Sequence, residues 1–274
     1  MGKLSHARFD PGAFSNLDAI GEASVYVSYL EHTGTRLREL SRARYELLNL
    51  HSGDHVLDVG CGLGDDTREL AFMVAPRGRV TAIDSSAAMV AQARKRSTKF
   101  GRAIKFAVGD AHDLDFADSS FAACWSERVL QHLSDPERAI GEMARVIKPG
   151  GRVVLFEPDY STMVIDAADR VTTASIIFAL ADSIRSPWIG RALFSLLKAN
   201  GLQDVAIIPT PLLSNSWSNT KDLLRLDASA KAAVKRGLIT SNAAKNWFAD
   251  LEQRQTDGRY FGCLLCFTAV ARKT

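Results

Sequence analysis

Val56-Leu57-Asp58-Val59-Gly60-Cys61-Gly62-Leu63-Gly64-Asp65-Asp66 reads as a buried strand that ends in a glycine-rich turn and hands over to a helix. Val56, Leu57 and Val59 favour a strand. The glycines lack Cβ atoms, so the turn can take unusual dihedrals and bring bare backbone against a ligand. Strand, glycine turn and helix N-terminus together make a nucleotide-binding corner. A dinucleotide corner, G-x-G-x-x-G, needs a third glycine where this chain has Asp65, followed by Asp66. Two carboxylates suit a helix start and repel a pyrophosphate. The turn therefore suits a ligand with no phosphate and some positive charge better than it suits NAD. Asp58, an acid inside an apolar strand, needs a partner.

The same rhythm continues outward. Arg79-Val80-Thr81-Ala82-Ile83-Asp84 reads as a second strand ending in an acid that can accept both hydroxyls of a ribose, as in NAD-binding folds. Ser85-Ser86-Ala87-Ala88-Met89 opens a helix. Ile104 to Ala111 reads as the third strand, Phe121 to Ser126 as the fourth and Val153 to Glu157 as the fifth, the last preceded by Lys148-Pro149-Gly150-Gly151-Arg152. Alternation of strand and helix to about Asp159 implies a doubly wound, mostly parallel α/β sheet. Ligands in such sheets bind outside the carboxyl ends of the strands. Asp58, Asp84, Asp110, Ser126 and Glu157 lie at or near those ends.

These segments, in this order, resemble the class I, Rossmann-like S-adenosylmethionine-dependent methyltransferases. Asp58-Val59-Gly60-Cys61-Gly62-Leu63-Gly64 resembles their acid-x-G-x-G-x-G motif, Asp110-Ala111 their adenine clip, and Lys148-Pro149-Gly150-Gly151 the segment before their fifth strand. The likeness covers roughly residues 45–160 well and the rest loosely. Leu57-Asp58-x-Gly60-x-Gly62 and His132-Leu133-x-Asp135-Pro136 are similar to the small-molecule branch that includes quinone, sterol and natural-product methyltransferases.

The resemblance implies S-adenosylmethionine as cofactor. Gly60, Gly62, Gly64 and Asp65 would lie along its methionyl part, with Asp58 paired to its ammonium directly or through water. Asp84 would take the ribose, Met89 the adenine, and Asp110 and Ala111 the exocyclic amine and ring edge. Ser85 and Ser126 belong to the same expected set, and Tyr26 and Tyr29 would close over the sulfonium, whose charge a ring face attracts. The resemblance also implies a seven-stranded sheet with an antiparallel last strand plus helical lid insertions. The chain then divides as one domain over 1–274, with an N-terminal helical cap at 1–50 and a cofactor-binding half at 51–160. Lid insertions would fall at 161–188 and 214–258, with the core resuming at 189–213 and 259–274.

Methyl transfer from a sulfonium is an in-line displacement with a neutral thioether as leaving group. The enzyme must align the nucleophile, exclude water and, for some acceptors, remove a proton. His132 is the candidate base for a phenol or enol. Glu157 is a candidate for meeting a substrate amine or hydroxyl. Glu127 and Arg128 read equally well as a surface ion pair. Met163, Ile165, Ile176, Phe178, Trp188, Trp217, Trp247 and Phe248 in the insertions suggest an apolar or aromatic acceptor held under the lid. Methylation at carbon, oxygen or nitrogen fits equally. Two other classes remain: an NAD(P)-dependent oxidoreductase, against which Asp65, Asp110-Ala111 and the last strand speak, and an S-adenosylmethionine-binding protein that has lost methyl transfer.

Composition narrows the partners. The 274 residues carry 34 Lys and Arg against 31 Asp and Glu, a net charge of +3 with both signs mixed. No basic stripe marks a nucleic-acid binder, and Arg94-Lys95-Arg96 reads as a solvated helix face. Cys263 and Cys266 lie three apart in an alternating strand and so face opposite sides, with no second Cys/His pair nearby; no metal site is expected. Cys61, Cys124, Cys263 and Cys266 as reduced thiols fit a cytoplasmic protein. No run reaches the ~18 apolar residues of a membrane span. The expected partner is a small-molecule acceptor, and the expected state a monomer or homodimer.

Overall fold

β1 (His55–Val59) sits between β2 (Arg79–Asp84) and β4 (Phe121–Glu127), parallel to both. The computed structural model describes Asp18, residues 26–31 and residues 42–274; the sequence reading of the first twenty residues and of much of the N-terminal helix falls outside these. The sheet runs β3 (Ile104–Val108), β2, β1, β4, β5 (Ile147–Pro158), β8 (Gly262–Arg272), and β7 (Gln203–Ser214) lies on the far side of β8. β8 is antiparallel to both its neighbours. The chain winds outward from β1 through β2 to β3 and then restarts at β4 on the other side. The crevice for a ligand opens where that order reverses.

Alternation along the central strands assigns the two faces. Leu57, Val59, Cys124, Val153 and Leu155 point to the layer formed by α3 (Pro136–Val146) and α5 (Ile189–Ala199). Val56, Val80, Ala82, Trp125 and Val154 point to α1 (Asp65–Met73) and α2 (Ala87–Arg96). α3 starts where Asp135 accepts from the Arg138 N–H at 3.0 Å, with Pro136 in the first turn. Arg94, Lys95 and Arg96 fall in the last turn of α2, complementing its dipole. Arg94 also donates to the Phe106 carbonyl and Arg96 pairs with Glu31. All four cysteines are free.

Three details differ from the sequence expectation. The sheet has eight strands, because after Pro158 the chain makes one turn and re-pairs as β6 (Val164–Ile165) with the start of β8. β7 continues past Ile208 to Ser214 through Pro209 and Pro211. An edge strand tolerates prolines because one row of its N–H groups is unpaired anyway. The third difference concerns the insertions. α4 (Arg170–Ala181), α6 (Trp217–Leu224), α7 (Leu226–Lys235) and α8 (Ser241–Thr256) bury Ile176, Leu180, Trp217, Leu226, Trp247 and Leu251 against one another and against Phe156, Leu264 and Cys266, while Phe178 and Trp188 are exposed. Trp217 and Trp247 meet edge to face at 5.5 Å, and Trp247 Nε1 donates to Thr173 Oγ1 at 2.8 Å.

Trp247 thus fills a core of the helical layer. A Trp247→Phe variant should lose about 2 kcal/mol, from the vacated volume and the loss of the bond that Thr173 accepts, while the Thr173 hydroxyl keeps its own bond to the Asp169 carbonyl at 2.6 Å. Cofactor affinity should stay within about two-fold. Urea melts beside calorimetric titration check both halves; a large change in affinity at unchanged stability would contradict the packing role.

Candidate active site

A cavity of about 730 Å³ opens at the carboxyl ends of β1 to β4. Its floor is the glycine turn. Gly60 and Cys61 donate their N–H groups to the Ile83 carbonyl at 2.8 and 2.9 Å, which ties the turn to β2. Asp84 braces it from the side: Oδ2 accepts from Gly62 N and Oδ1 from Ser86 N, each at 2.9 Å. Burial raises the Asp84 carboxyl above its usual range. Ser86 caps α2 by accepting from Met89 N at 3.2 Å, and its hydroxyl donates to Asp18 at 2.6 Å. Tyr26, Leu63 and Met89 form a small cluster that seats the helix of residues 26–31 above the turn.

Among the residues expected from sequence, Gly60, Gly62, Asp65, Asp84, Ser85, Met89, Asp110, Ala111, Tyr29 and His132 line this one cavity. Burial opposes ionisation of Asp110, but the His112 N–H at 2.9 Å and the His112 ring at 2.6 Å outweigh it and hold the carboxyl below its usual range.

Asp58, Gly64, Ser126 and Glu157 lie behind the wall. Asp58 shares the face of Val56 and meets α1, where the Thr67 hydroxyl donates to it at 2.5 Å. Burial, then the neighbouring Asp66, push its carboxyl well up. Within the fold, the partner of Asp58 is the Thr67 hydroxyl. Gly64 supplies the left-handed N-cap of α1, and Ser126 Oγ is buried without a hydrogen-bond partner. Glu157 Oε1 accepts from Val129 N at 2.8 Å and Leu130 N at 2.7 Å, so this acid fastens the loop after β4 from below.

The far end of the cavity is charged. Asp66 accepts from the Tyr45 hydroxyl at 2.5 Å and from Trp125 Nε1 at 3.3 Å; burial, then Glu127, push it up to about 6. Arg44 pairs with Glu127 at 2.5 Å and lies 3.6 Å from the centre of the Phe156 ring. His132 is held down to about 3 by burial and by Arg128, so its imidazole stays neutral at physiological pH. A neutral imidazole of that pKa can position a polar hydrogen but is a weak base.

Burial pushes Glu157 up to about 8 against the loop N–H groups that favour its ionised form. Its folded pKa exceeds the unfolded value of 4.5, so between those values the folded state binds the extra proton and stability falls as pH rises. Above pH 6.5 His132 and His55, both held below the ordinary imidazole value chiefly by burial, no longer oppose this. From pH 6.5 to 8 the protein should lose on the order of 1–2 kcal/mol, and Glu157→Gln should flatten that slope. Urea melts at stepped pH measure it; an unchanged slope in the variant would remove Glu157 as its source.

The residues present fit S-adenosylmethionine. The volume lies within the range of about 300–1,000 Å³ that encloses drug-sized ligands. Asp65, Asp66 and Glu69 edge the glycine turn, where a pyrophosphate would be repelled and a cationic methionyl group accepted. Residues 57–155 match the family model described as a methyltransferase domain. The chain belongs to the class I S-adenosylmethionine-dependent methyltransferases, small-molecule branch. It is 34% identical over 251 residues to an uncharacterised 37.1 kDa protein in transposon TN4556 of Streptomyces fradiae, covering 90% of this chain and 71% of that protein. It is 32% identical over 152 residues to the methyltransferase GfsG of Streptomyces halstedii, covering 53% of this chain and 54% of that one. The chain thus spans about half the length of this second relative. Among solved structures, the [4+2]-cyclase SpnF aligns with a TM-score of 0.52 at 27% identity, over 86% of this chain and 80% of that chain.

Several wall residues of this methyltransferase escaped the sequence reading. The aromatic residues of the two insertions do not line the cavity; from those insertions only Arg185 does, with Tyr160 just before them. Behind the wall, Arg44 is buried against Glu127 and the Phe156 ring, and nothing in its spacing marks it as buried. Glu127 and Arg128 were legible in principle, since a charged pair at the carboxyl end of an apolar strand stands where ligands bind. Among the described residues no cluster of metal-ligating side chains forms, and no helix is long and apolar enough to cross a membrane.

Proposed function

We propose that this methyltransferase passes the methyl group of S-adenosylmethionine to a small metabolite that enters between the loop after β4 and the connection from α4 to α5. One observation carries the reading: the glycine turn, Asp84 and the Asp110-Ala111 pair, from three adjacent parallel strands, converge on a single cavity. Asp84 would hold the ribose, Asp110 and Ala111 the adenine edge with Met89 beneath it, and the turn with Asp66 the methionyl end. Bound there, S-adenosylmethionine supplies an electrophilic methyl group and a neutral leaving group. The chain's own part is alignment and exclusion of water. Tyr29 covers the site from the N-terminal helix, and His132 orients the acceptor through a hydrogen bond. Glu157 acts one step back, by fixing the loop that carries His132.

Calorimetry should show binding of S-adenosylmethionine and no heat from NAD, with Asp84→Ala weakening the complex at least about ten-fold. Binding of NAD alone would overturn the reading. The likeness to a cyclase favours a second reading, in which the cofactor is held but no methyl group moves. Methyl-labelled donor with a panel of acceptors separates the two: label in product supports transfer, and product without label supports the second.

A further inference from the structure

Arg128 leaves β4 with φ +57, a left-handed conformation that costs a side-chain-bearing residue about 1–2 kcal/mol. Its own N–H is spent on the Phe156 carbonyl at 2.8 Å. Its side chain forms part of the cavity wall. There Nε is buried with no hydrogen-bond acceptor among the described residues. The carboxylate oxygen Glu127 Oε1 stands 3.7 Å away, beyond hydrogen-bonding distance, and the other oxygen of Glu127 is taken by Arg44 at 2.5 Å.

The backbone around Arg128 is locked. Gln131 Nε2 donates to the Arg128 carbonyl at 3.0 Å, and the Tyr160 hydroxyl donates to Gln131 Oε1 at 2.8 Å. Arg185 is brought to the same wall by backbone bonds at the two residues that follow it: Ser186 N to Gln131 O at 2.9 Å and Tyr160 N to Pro187 O at 3.0 Å. The acids Asp65, Asp66 and Glu69 of α1 line the same cavity. Two guanidiniums line this cavity, where the methyl donor brings a single carboxylate.

We infer that Arg128, with Arg185 at the mouth, binds a carboxylate on the methyl acceptor; this rests on the methyltransferase reading above. The partly buried guanidinium offers the forked donors that a carboxylate accepts in pairs. The neutral His132 beside it adds no competing charge. The acceptor class is then a small organic acid, with Tyr29 and Leu133 available to its apolar body.

The probes are benzoate and its neutral isostere benzamide, titrated calorimetrically into the full chain saturated with S-adenosylhomocysteine. Benzoate should bind at least about ten-fold tighter than benzamide. Arg128→Met should abolish that preference and Arg185→Met should reduce it several-fold, both leaving S-adenosylhomocysteine affinity within about three-fold. If Arg128→Met does not fold, Arg128→Lys keeps the charge without the fork and should retain only part of the preference. Equal binding of the two probes, or no heat from benzoate up to about 20 mM, overturns the inference while leaving donor binding intact. An Arg128 variant that weakens S-adenosylhomocysteine as much as benzoate assigns the arginine to the donor and also overturns it. Failure of the wild-type chain to bind S-adenosylhomocysteine at all would instead sink the methyltransferase reading itself.

Discussion

A Gly60→Ala variant should lose about 2–5 kcal/mol of folding stability and most of its affinity for S-adenosylmethionine. Two costs combine. Gly60 has φ +77, which an L-residue adopts only with strain. A Cβ there would also stand 2.1 Å from Val129 Cγ2 and 3.2 Å from Val129 Cβ. Val129 cannot swing aside, because its N–H is held by Glu157 at 2.8 Å. The loop bearing Arg128, Gln131 and His132 would have to lift as a unit, and the turn would lose its grip on Ile83. Gly62 is the control. It has φ +49, and its nearest obstacle is Leu30 Cδ1 at 3.5 Å, so Gly62→Ala should cost only about 1–2 kcal/mol. Urea melts and cofactor titrations compare the pair. Val129→Ala in the Gly60→Ala background should recover part of the loss by removing the methyl groups that collide. Absence of any recovery would place the damage in the turn dihedral alone.

How much of this was readable in advance follows from the range of the interactions. The glycine turn, the acids ending β2 and β3 and the cap of α3 are local: each rests on residues within a few positions of one another, so spacing reveals them. Asp84 was legible because strand ends are legible. Its second duty, accepting from Gly62 across 22 positions, was not. Asp58 shows the converse case. Its burial was inferred correctly, but the partner nine residues on, Thr67, sits on a helix whose face toward β1 is set only by packing. The insertions misled for a related reason. Apolar aromatic residues signal burial, and Trp217 and Trp247 are buried, yet hydrophobicity does not say against what. Their own layer satisfied them, and the cavity was walled by charged residues from β4 and the loops instead. Arg44 was the least legible, since its burial needs a carboxylate 83 positions away and the face of Phe156.

Removing that carboxylate should be the costliest single change at the site. Glu127→Ala is expected to destabilise the chain by about 3–5 kcal/mol, the penalty for breaking a buried ion pair from one side. Arg44 and Glu127 have side chains only 5% and 7% exposed, so water cannot take over the lost partner. Salt should change the loss little, because screening acts mainly on exposed charges. The rest of the cluster predicts how the protein responds. Glu127 helps raise Asp66, so its removal should let the Asp66 carboxyl ionise more readily than its present value near 6 allows. Arg44 rests on the Phe156 ring, a surface that a methionine side chain also suits. Arg44→Met combined with Glu127→Leu should therefore be more stable than Glu127→Ala alone by about 2 kcal/mol, since both charges leave together. If the double variant is instead no better than the single one, the pair is not what Glu127 contributes. The loss would then trace to Arg128, whose guanidinium has Glu127 as its nearby counter-charge at 3.7 Å. Denaturant melts of the wild type, Arg44→Met, Glu127→Leu and the double variant, read as a double-mutant cycle beside Glu127→Ala, distinguish a carboxylate that holds Arg44 in place from one that tempers the charge Arg128 presents to the cavity.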